Sequence, residues 1–268
     1  MSFITVYILV VAGLLGLAMG SFINCWAWRS THGESVMSGR SHCVACGHEL
    51  GVRDLVPVVS WIASGGKCRY CGEKVSVRYP ATELVCAAAF VGIVAVYGFS
   101  FETLELLVFA AALLFLSLTD LDEFIIPNGC IFVAIAARAA YLAYAFATGG
   151  IGLDGIAYYV ASGFGMGAVL LAIVLAADRV FKRESMGGGD LKLFFVAGLY
   201  FGWQQGLFLV ILSCLIGIAV ALFTRGPSGS EGEGALKRAF PFGPSIAVAC
   251  VVTMLVGEPL VTWYLSLL

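Results

Sequence analysis

Long apolar runs separated by short polar segments occupy most of this chain. They cover residues 3–28, 81–100, 104–119, 128–147, 155–177, 191–203, 206–223 and 242–266. A helix needs about 20 apolar residues to cross a bilayer. Most of the runs reach that length, although 104–119 and 191–203 are short. The pattern therefore predicts an all-α polytopic membrane protein with about eight transmembrane helices.

The composition agrees with this pattern. Hydrophobic residues make up 60% of the 268 residues and charged residues only 12%, and the mean hydropathy is +0.97. Soluble domains carry about 25% charged residues, so a soluble core of this size could not bury the apolar surface present here. The first run lacks a preceding basic segment and is followed by a charged loop, so we interpret it as a retained helix rather than a signal peptide.

The basic residues are distributed unevenly between the two sides of the membrane that alternating crossings would create. One side receives the connecting segments 29–80, 120–127, 178–192 and 224–241. These segments hold 14 of the 15 lysines and arginines, and only Arg138 lies elsewhere. Cytoplasmic loops are rich in Lys and Arg, so we expect these segments in the cytoplasm and both termini outside it. The glycine-rich stretch 226–234 is typical of a flexible linker.

The first long polar segment contains two similar cysteine motifs. Cys43 and Cys46 form one pair, Cys68 and Cys71 form the other, and a glycine follows each pair. Two such pairs about 20 residues apart match the spacing of a structural four-thiolate zinc site. A loop with few apolar side chains also needs a staple to fold. We therefore predict that these four cysteines bind a structural zinc ion.

Other interpretations of the cysteines remain open. Disulfides are disfavoured in a reducing cytoplasm, and two matched pairs with turn glycines are unusual for a redox motif. His42 and His48 flank the first pair and could act as ligands, although we favour a solvated position for both. The remaining cysteines lie in or beside apolar runs, where they are interpreted as small buried hydrophobes: Cys25, Cys86, Cys130, Cys214 and Cys250.

Asp120 directly follows the third apolar run, in the stretch 118–123, Leu-Thr-Asp-Leu-Asp-Glu. Three acids at the C-terminus of a helix oppose the helix dipole, and they add negative charge on the side where basic residues collect. Some interaction must offset that cost. Either a functional carboxylate or a solvated turn before the next helix, near 126–128, explains the pattern.

Asp190 follows Gly187, Gly188 and Gly189 and leads directly into an apolar run. Asp is a favoured helix N-cap and gains from the positive end of the helix dipole, so a purely structural cap is one interpretation. A cap does not need three preceding glycines, however. Glycine permits positive φ and a close approach of another backbone. We therefore expect these glycines to form an active-site loop that contacts substrate.

The two aspartates together suggest a shared chemistry. Two close carboxyls in a site of low dielectric constant cannot both ionise, so the pair holds one proton. The ionised member can activate a water while the protonated member polarises a carbonyl. Ionisable residues at membrane depth are functional hypotheses by default. We predict that Asp120 and Asp190 meet in space as a catalytic pair, without assigning the proton to either.

These motifs together resemble bacterial type IV prepilin peptidases, which are membrane aspartyl proteases with a GxGD motif. The resemblance rests on the paired cysteine loop, the Asp120 context ending in Ile-Pro-Asn, and the stretch 187–192, Gly-Gly-Gly-Asp-Leu-Lys. Further similar runs follow the same order from about residue 13 to residue 250: 20–24, 54–61, 66–68, 78–84 and 241–244.

The resemblance implies a two-step enzyme of the bacterial cytoplasmic (inner) membrane, with its active site facing the cytoplasm. Such proteins remove the basic leader of type IV prepilins or pseudopilins, and many then methylate the new N-terminal amine with S-adenosylmethionine. It also implies that Asp120 and Asp190 are the protease pair and that Gly66 and Lys67 belong to the methyltransferase region. Asp122 matches a recurrent acid of the motif and is not assigned to catalysis. The expected partners are the prepilin substrate and membrane lipid, with no nucleic acid.

Two other classes of function are consistent with parts of the sequence. An intramembrane GxGD protease with other substrates would use the same chemistry, although the cysteine loop argues against it. A non-enzymatic membrane protein, such as a transporter or assembly scaffold with a zinc-stapled loop, is the other class. A transporter should also carry acids or broken helices near mid-membrane, where Arg138 is the only clear candidate. The expected organisation is a first transmembrane helix (1–28), a zinc-stapled loop associated with methyl transfer (29–80) and a seven-helix membrane peptidase domain (81–268).

Overall fold

The computed structural model describes residues 3–36, 38–182, 185–224 and 241–267 and is helical along most of them. The helices are α1 (Phe3–Thr31), α2 (Val59–Ala63), α3 (Arg78–Tyr97), α4 (Phe101–Glu123), α5 (Asn128–Ala147), α6 (Leu153–Phe181), α7 (Gly188–Thr224) and α8 (Gly243–Leu265). A short 3₁₀ helix spans Val52–Asp54. The described residues contain no β-strand, only two isolated bridges. The predicted all-α class is confirmed, and the predicted linker 226–234 lies outside the described residues.

Seven of the described helices, α1 and α3 to α8, are long and apolar enough to cross a membrane. The protein is therefore a multi-pass membrane protein. The sequence predicts about eight spans, and the difference arises in α7, which contains both predicted runs 191–203 and 206–223. A straight helix of its 37 residues would be about 55 Å long, well beyond the roughly 30 Å of a hydrocarbon core.

Helix α7 reverses its direction at Gly202. The backbone there has φ 68° and ψ −170°, which is not helical. Phe194, before the break, has its ring centroid 6.3 Å from that of Phe242. Gly217, after the break, is so close to the same ring that an added Cβ would lie 2.7 Å from it. In a straight helix these two residues would be about 34 Å apart, so the two predicted runs are the arms of one helical hairpin.

Contacts between Cα atoms divide the chain into two compact units, residues 1–123 and 124–268. In the first unit, α1 packs along α3, and α4 contacts both. A Cβ at Gly16 would lie 2.6 Å from the Cα of Ala87, and one at Gly20 would lie 2.8 Å from the Cα of Glu83. The backbones of α1 and α3 are therefore in direct contact, because these positions carry no side chain.

In the second unit, α7 packs against α5, α6 and α8. Its break deprives the last carbonyls of the first arm of their helical partners. Arg138 of α5, only 5% exposed, satisfies two of them: Nε donates to the carbonyl of Leu199 at 2.8 Å and Nη2 to that of Tyr200 at 3.3 Å. A cation at a helix C-terminus also complements the dipole. The one basic residue outside the predicted cytoplasmic segments thus stabilises the hairpin.

Candidate active site and metal centre

Asp120 lies inside the last turn of α4, which continues to Glu123. The apolar run ends at residue 119, so the sequence predicts that Asp120 lies in a polar connecting segment. The helix instead extends to Glu123. The residue is only 6% exposed. Because its position is helical, its carboxyl is held by a regular backbone rather than by a turn.

The acids at the end of α4 have a cationic partner that the sequence does not identify. Arg78, the first residue of α3, binds Asp122 through both terminal nitrogens, with 2.7 Å between Nη2 and Oδ2. Its Nη2 also donates to the carbonyl of Leu118 at 3.3 Å. This guanidinium supplies the positive charge that a helix C-terminus favours. It offsets the cost of the acidic cluster and gives Asp122 a structural role.

Asp190 lies in the first turn of α7, which begins at Gly188. The helix therefore starts two residues before the predicted cap. An acid in the first turn still gains from the positive end of the helix dipole. The side chain is half-buried.

Of the two properties that glycine permits, positive φ and close approach, the glycines before Asp190 show the second. None of Gly187, Gly188 and Gly189 has a positive φ, so left-handed backbone does not explain them. Close approach does explain one: a Cβ at Gly189 would lie 2.9 Å from the Cβ of Ile126. The neighbour is thus a segment of this chain itself. A substrate contact of these glycines stays a prediction.

The start of α7 is attached to the start of α5. Lys192 Nζ donates to Asn128 Oδ1 at 2.8 Å, and Ile126 packs on Gly189. The Ile-Pro-Asn stretch and the Gly-Gly-Gly-Asp-Leu-Lys stretch, far apart in sequence, therefore form one local structure in the second unit. Asp120 belongs to the first unit and Asp190 to the second, and their meeting stays a prediction.

The four loop cysteines converge as the sequence predicts. The sulfur atoms of Cys43, Cys46, Cys68 and Cys71 all lie within 4.8 Å of one another, with 3.9 Å between those of Cys43 and Cys71. Zn–S bonds of about 2.3 Å in a tetrahedron place sulfurs about 3.8 Å apart. The cluster could therefore hold a zinc ion.

The two cysteine pairs share one backbone pattern that spacing alone does not reveal. The N–H of the glycine after each pair donates to the carbonyl of that pair's first cysteine, Gly47 to Cys43 at 2.8 Å and Gly72 to Cys68 at 2.9 Å. Both glycines have positive φ, 71° and 76°, which glycine adopts without steric cost. An antiparallel bridge closes each turn. Two matched turns present their sulfurs to one point.

The electrostatics of one thiol favour metal binding. The backbone N–H groups of Cys71 and Tyr70 donate to Cys68 and lower its pKa to about 7. A backbone hydrogen bond at Glu73 lowers the pKa of Cys71, but burial and the neighbouring thiols outweigh it and raise that pKa. A thiolate is the form that ligates metal.

The two flanking histidines have other contacts: the ring of His48 packs on Tyr70, with centroids 3.6 Å apart, and His42 Nε2 lies 3.9 Å from Glu34. The cluster is thus built from sulfur alone.

The residues predicted for methyl transfer border a cavity in the same unit. Lys67 lines it, and Gly66 packs on Trp61, another lining residue, with an added Cβ 2.9 Å from the ring. Glu83 of α3 also lines it. Glu83 lies in the stretch 78–84 that contributes to the resemblance. The sequence does not predict that Glu83 is buried, because no local pattern shows which face of α3 meets the loop.

Comparisons with known proteins cover most of the chain. Residues 14–97 match the family model described as the Bacterial Peptidase A24 N-terminal domain, and residues 107–222 match that of the Type IV leader peptidase family. No solved structure matches.

Three curated relatives match over nearly their whole length. The chain is 31% identical over 259 residues to the prepilin leader peptidase/N-methyltransferase of Bacillus subtilis, covering 95% of this chain and 96% of the relative. The protein of that name from Pseudomonas putida is 29% identical over 288 residues, with coverages of 98% and 95%. The type 4 prepilin-like proteins leader peptide-processing enzyme of Escherichia coli is 28% identical over 270 residues, with coverages of 91% and 93%.

Proposed function

This chain belongs to the type IV leader peptidase family, and on that premise we propose that it removes the leader of type IV prepilins or pseudopilins and then methylates the new N-terminal amine. The observation that carries the proposal is the ordered match of both family models, with Asp120 and Asp190 inside the second. The relatives named for both activities align along nearly the whole chain.

Asp120 and Asp190 are the proposed catalytic pair. One ends a helix and the other begins one. The Ile126–Asn128 stretch that packs on the Asp190 turn follows Asp120 by a few residues in the chain. Such a pair cleaves a peptide by activating a water with the ionised carboxyl while the protonated one polarises the scissile carbonyl.

The four-cysteine cluster is proposed to bind zinc in a structural role. Four thiolates complete a tetrahedral shell, so no position remains for a catalytic water. S-adenosylmethionine is the proposed methyl donor, with Gly66 and Lys67 in the region that uses it.

The protein is proposed to lie in the bacterial cytoplasmic membrane with its active site facing the cytoplasm. Support comes from the basic residues, since 14 of 15 fall in segments on one side of the predicted topology, and cytoplasmic loops are rich in Lys and Arg. The cysteine loop and both proposed catalytic acids lie in or beside those segments.

The test is intact mass spectrometry of a co-expressed pilin-like substrate. Wild type should yield a leader-free product carrying one added methyl group, and Asp190→Asn and Asp120→Asn should each leave full-length substrate. The matched control is Asp154→Asn, because Asp154 occupies the first turn of α6 as Asp190 occupies that of α7. If Asp190→Asn cleaves at the wild-type rate, Asp190 only stabilises the start of α7 through the helix dipole, and the catalytic assignment is contradicted.

A further inference from the structure

A cavity of about 450 Å³ lies within the first unit, beside the cysteine turns. Trp28 of α1, Trp61 of α2 and Glu83 of α3 line it, together with Lys67 of the loop. Small-molecule pockets typically measure about 300–1,000 Å³, whereas one water takes about 30 Å³ of liquid volume. The cavity is therefore the size of a ligand pocket rather than of a metal site.

One wall of this cavity carries a buried carboxyl group, that of Glu83. The residue is 6% exposed, and its Oε2 accepts from the N–H of Val58 at 2.7 Å. No lysine, arginine or histidine of the described chain forms an ion pair with it. Asp54, another acid of the wall, differs because Arg69 pairs with it at 3.1 Å. Burying a carboxylate without a cation is costly, so Glu83 points to a positively charged group in the occupant.

Two other lining residues, Trp61 and Lys67, suit the purine ring and the carboxylate of an adenosyl amino acid. Trp61 is held in place, because its Nε1 donates to the carbonyl of Val75 at 3.0 Å and its ring packs on Gly66. A fixed indole is a surface on which a purine can stack. Lys67 forms no ion pair within the described residues and is a partner for a carboxylate.

We propose that this cavity binds S-adenosylmethionine with Glu83 beside its sulfonium centre, a proposal that rests on the methyltransferase part of the proposed function. In the transfer, the lone pair of the substrate amine forms a bond to the methyl carbon and the carbon–sulfur bond breaks. The electron pair of that bond stays on sulfur, and the nitrogen releases one proton to solvent. The product S-adenosylhomocysteine is neutral at sulfur, so Glu83 favours the donor over the product.

The test is calorimetric titration of the full-length protein in detergent with S-adenosylmethionine and with S-adenosylhomocysteine. Glu83→Gln keeps an oxygen that can accept from the Val58 N–H and removes only the charge. It should weaken binding of the donor about tenfold and that of the product less than about twofold. Glu49→Gln is the control, because Glu49 is an exposed residue of the same loop, pairs with Arg40 and does not line the cavity.

Two results for Glu83→Gln would contradict the proposal. Equal losses for both ligands would mean that the charge of Glu83 does not act selectively on the sulfonium centre, and unchanged binding of both would mean that this charge does not act on the ligand at all. Wild type gives a second measurement that needs no variant: it should prefer the donor severalfold, and equal affinities would overturn the proposal. Leader cleavage in the same preparation separates the failures. Wild type that cleaves pilin without binding the donor contradicts the methyltransferase part of the proposed function together with the cavity assignment. Donor binding that Glu83→Gln leaves unchanged contradicts only the cavity assignment, and absent cleavage counts against the peptidase.

Discussion

Gly66 is the position where one added methyl group has the clearest expected consequence. Its φ is 68°, and a Cβ would lie 2.9 Å from the ring of Trp61. Alanine in a left-handed conformation costs about 1–2 kcal/mol, and here the ring must move as well. We expect Gly66→Ala to displace Trp61 and to lower the fraction of leader-free pilin that carries the methyl group, measured by intact mass.

The neighbouring glycine separates the two effects. Gly65 has φ 63°, but no described atom lies within 4 Å of the Cβ position. Gly65→Ala therefore carries the backbone strain without the contact with the ring. If both variants reduce methylation equally, backbone strain alone explains the loss and the position of Trp61 does not matter.

Features whose chemistry is local in the sequence could be predicted. The cysteine cluster is one, because each pair and its glycine form a turn from adjacent residues. The partner of Asp122 could not be predicted, because Arg78 neutralises Asp122 from another helix, 44 positions away, and no local pattern encodes that pairing. The partner of Gly189 is also distant in the sequence, since the close approach that glycine permits there is to Ile126.

Arg138 is expected to stabilise the break in α7. Its guanidinium is buried and donates to the carbonyls of Leu199 and Tyr200, and it lies 4.4 Å from the ring centroid of Tyr159. Hydrogen bonds to charged groups contribute about 1.5–3 kcal/mol each. Arg138→Met should therefore lower the thermal unfolding midpoint in detergent by several degrees, because the carbonyls stay buried without these donors.

The control for that measurement is Arg179→Met. Arg179 is an exposed residue in the last turn of α6, so its replacement changes the net charge equally while removing no buried donor. Equal midpoints for the two variants would show that Arg138 does not support the break in α7.

The same helix shows why element boundaries were harder to predict than element type. The two apolar runs in α7 were identified, but the chain has 33 glycines and nothing local distinguishes Gly202. A contact in space distinguishes Gly202 instead. Tyr158 of α6 accepts from the N–H of Trp203 at 3.2 Å and fills the space where a Cβ at Gly202 would lie. The end of α4 was misplaced because an acidic C-terminus is unfavourable until Arg78 is present.

For the whole molecule, the α7 hairpin decides how many times the chain crosses the membrane. If each arm crosses, the seven long helices make eight crossings, and α8 ends on the side opposite to the basic segments. If α7 crosses only once, α8 ends on the same side as those segments. The basic residues favour the first arrangement, because Arg179 and Lys182 precede α7 and Arg225 follows it, and such residues collect in the cytoplasm.

Reporter fusions distinguish the two arrangements. Alkaline phosphatase, which is active only outside the cytoplasm, should be active when fused after Gly149, between α5 and α6, and inactive after Lys182, between α6 and α7. These two fusions fix the orientation, since the charge pattern assigns them to opposite sides.

Fusion after Leu265, at the end of α8, then reports how α7 and α8 together cross the membrane. Activity there, equal to that at Gly149, requires α7 and α8 together to cross an odd number of times. Two crossings by the α7 hairpin and one by α8 meet this requirement, and such a hairpin agrees with Phe194 and Gly217 both contacting Phe242. An inactive fusion after Leu265, with the other two as expected, would mean that α7 and α8 together cross an even number of times, which contradicts the arrangement with eight crossings.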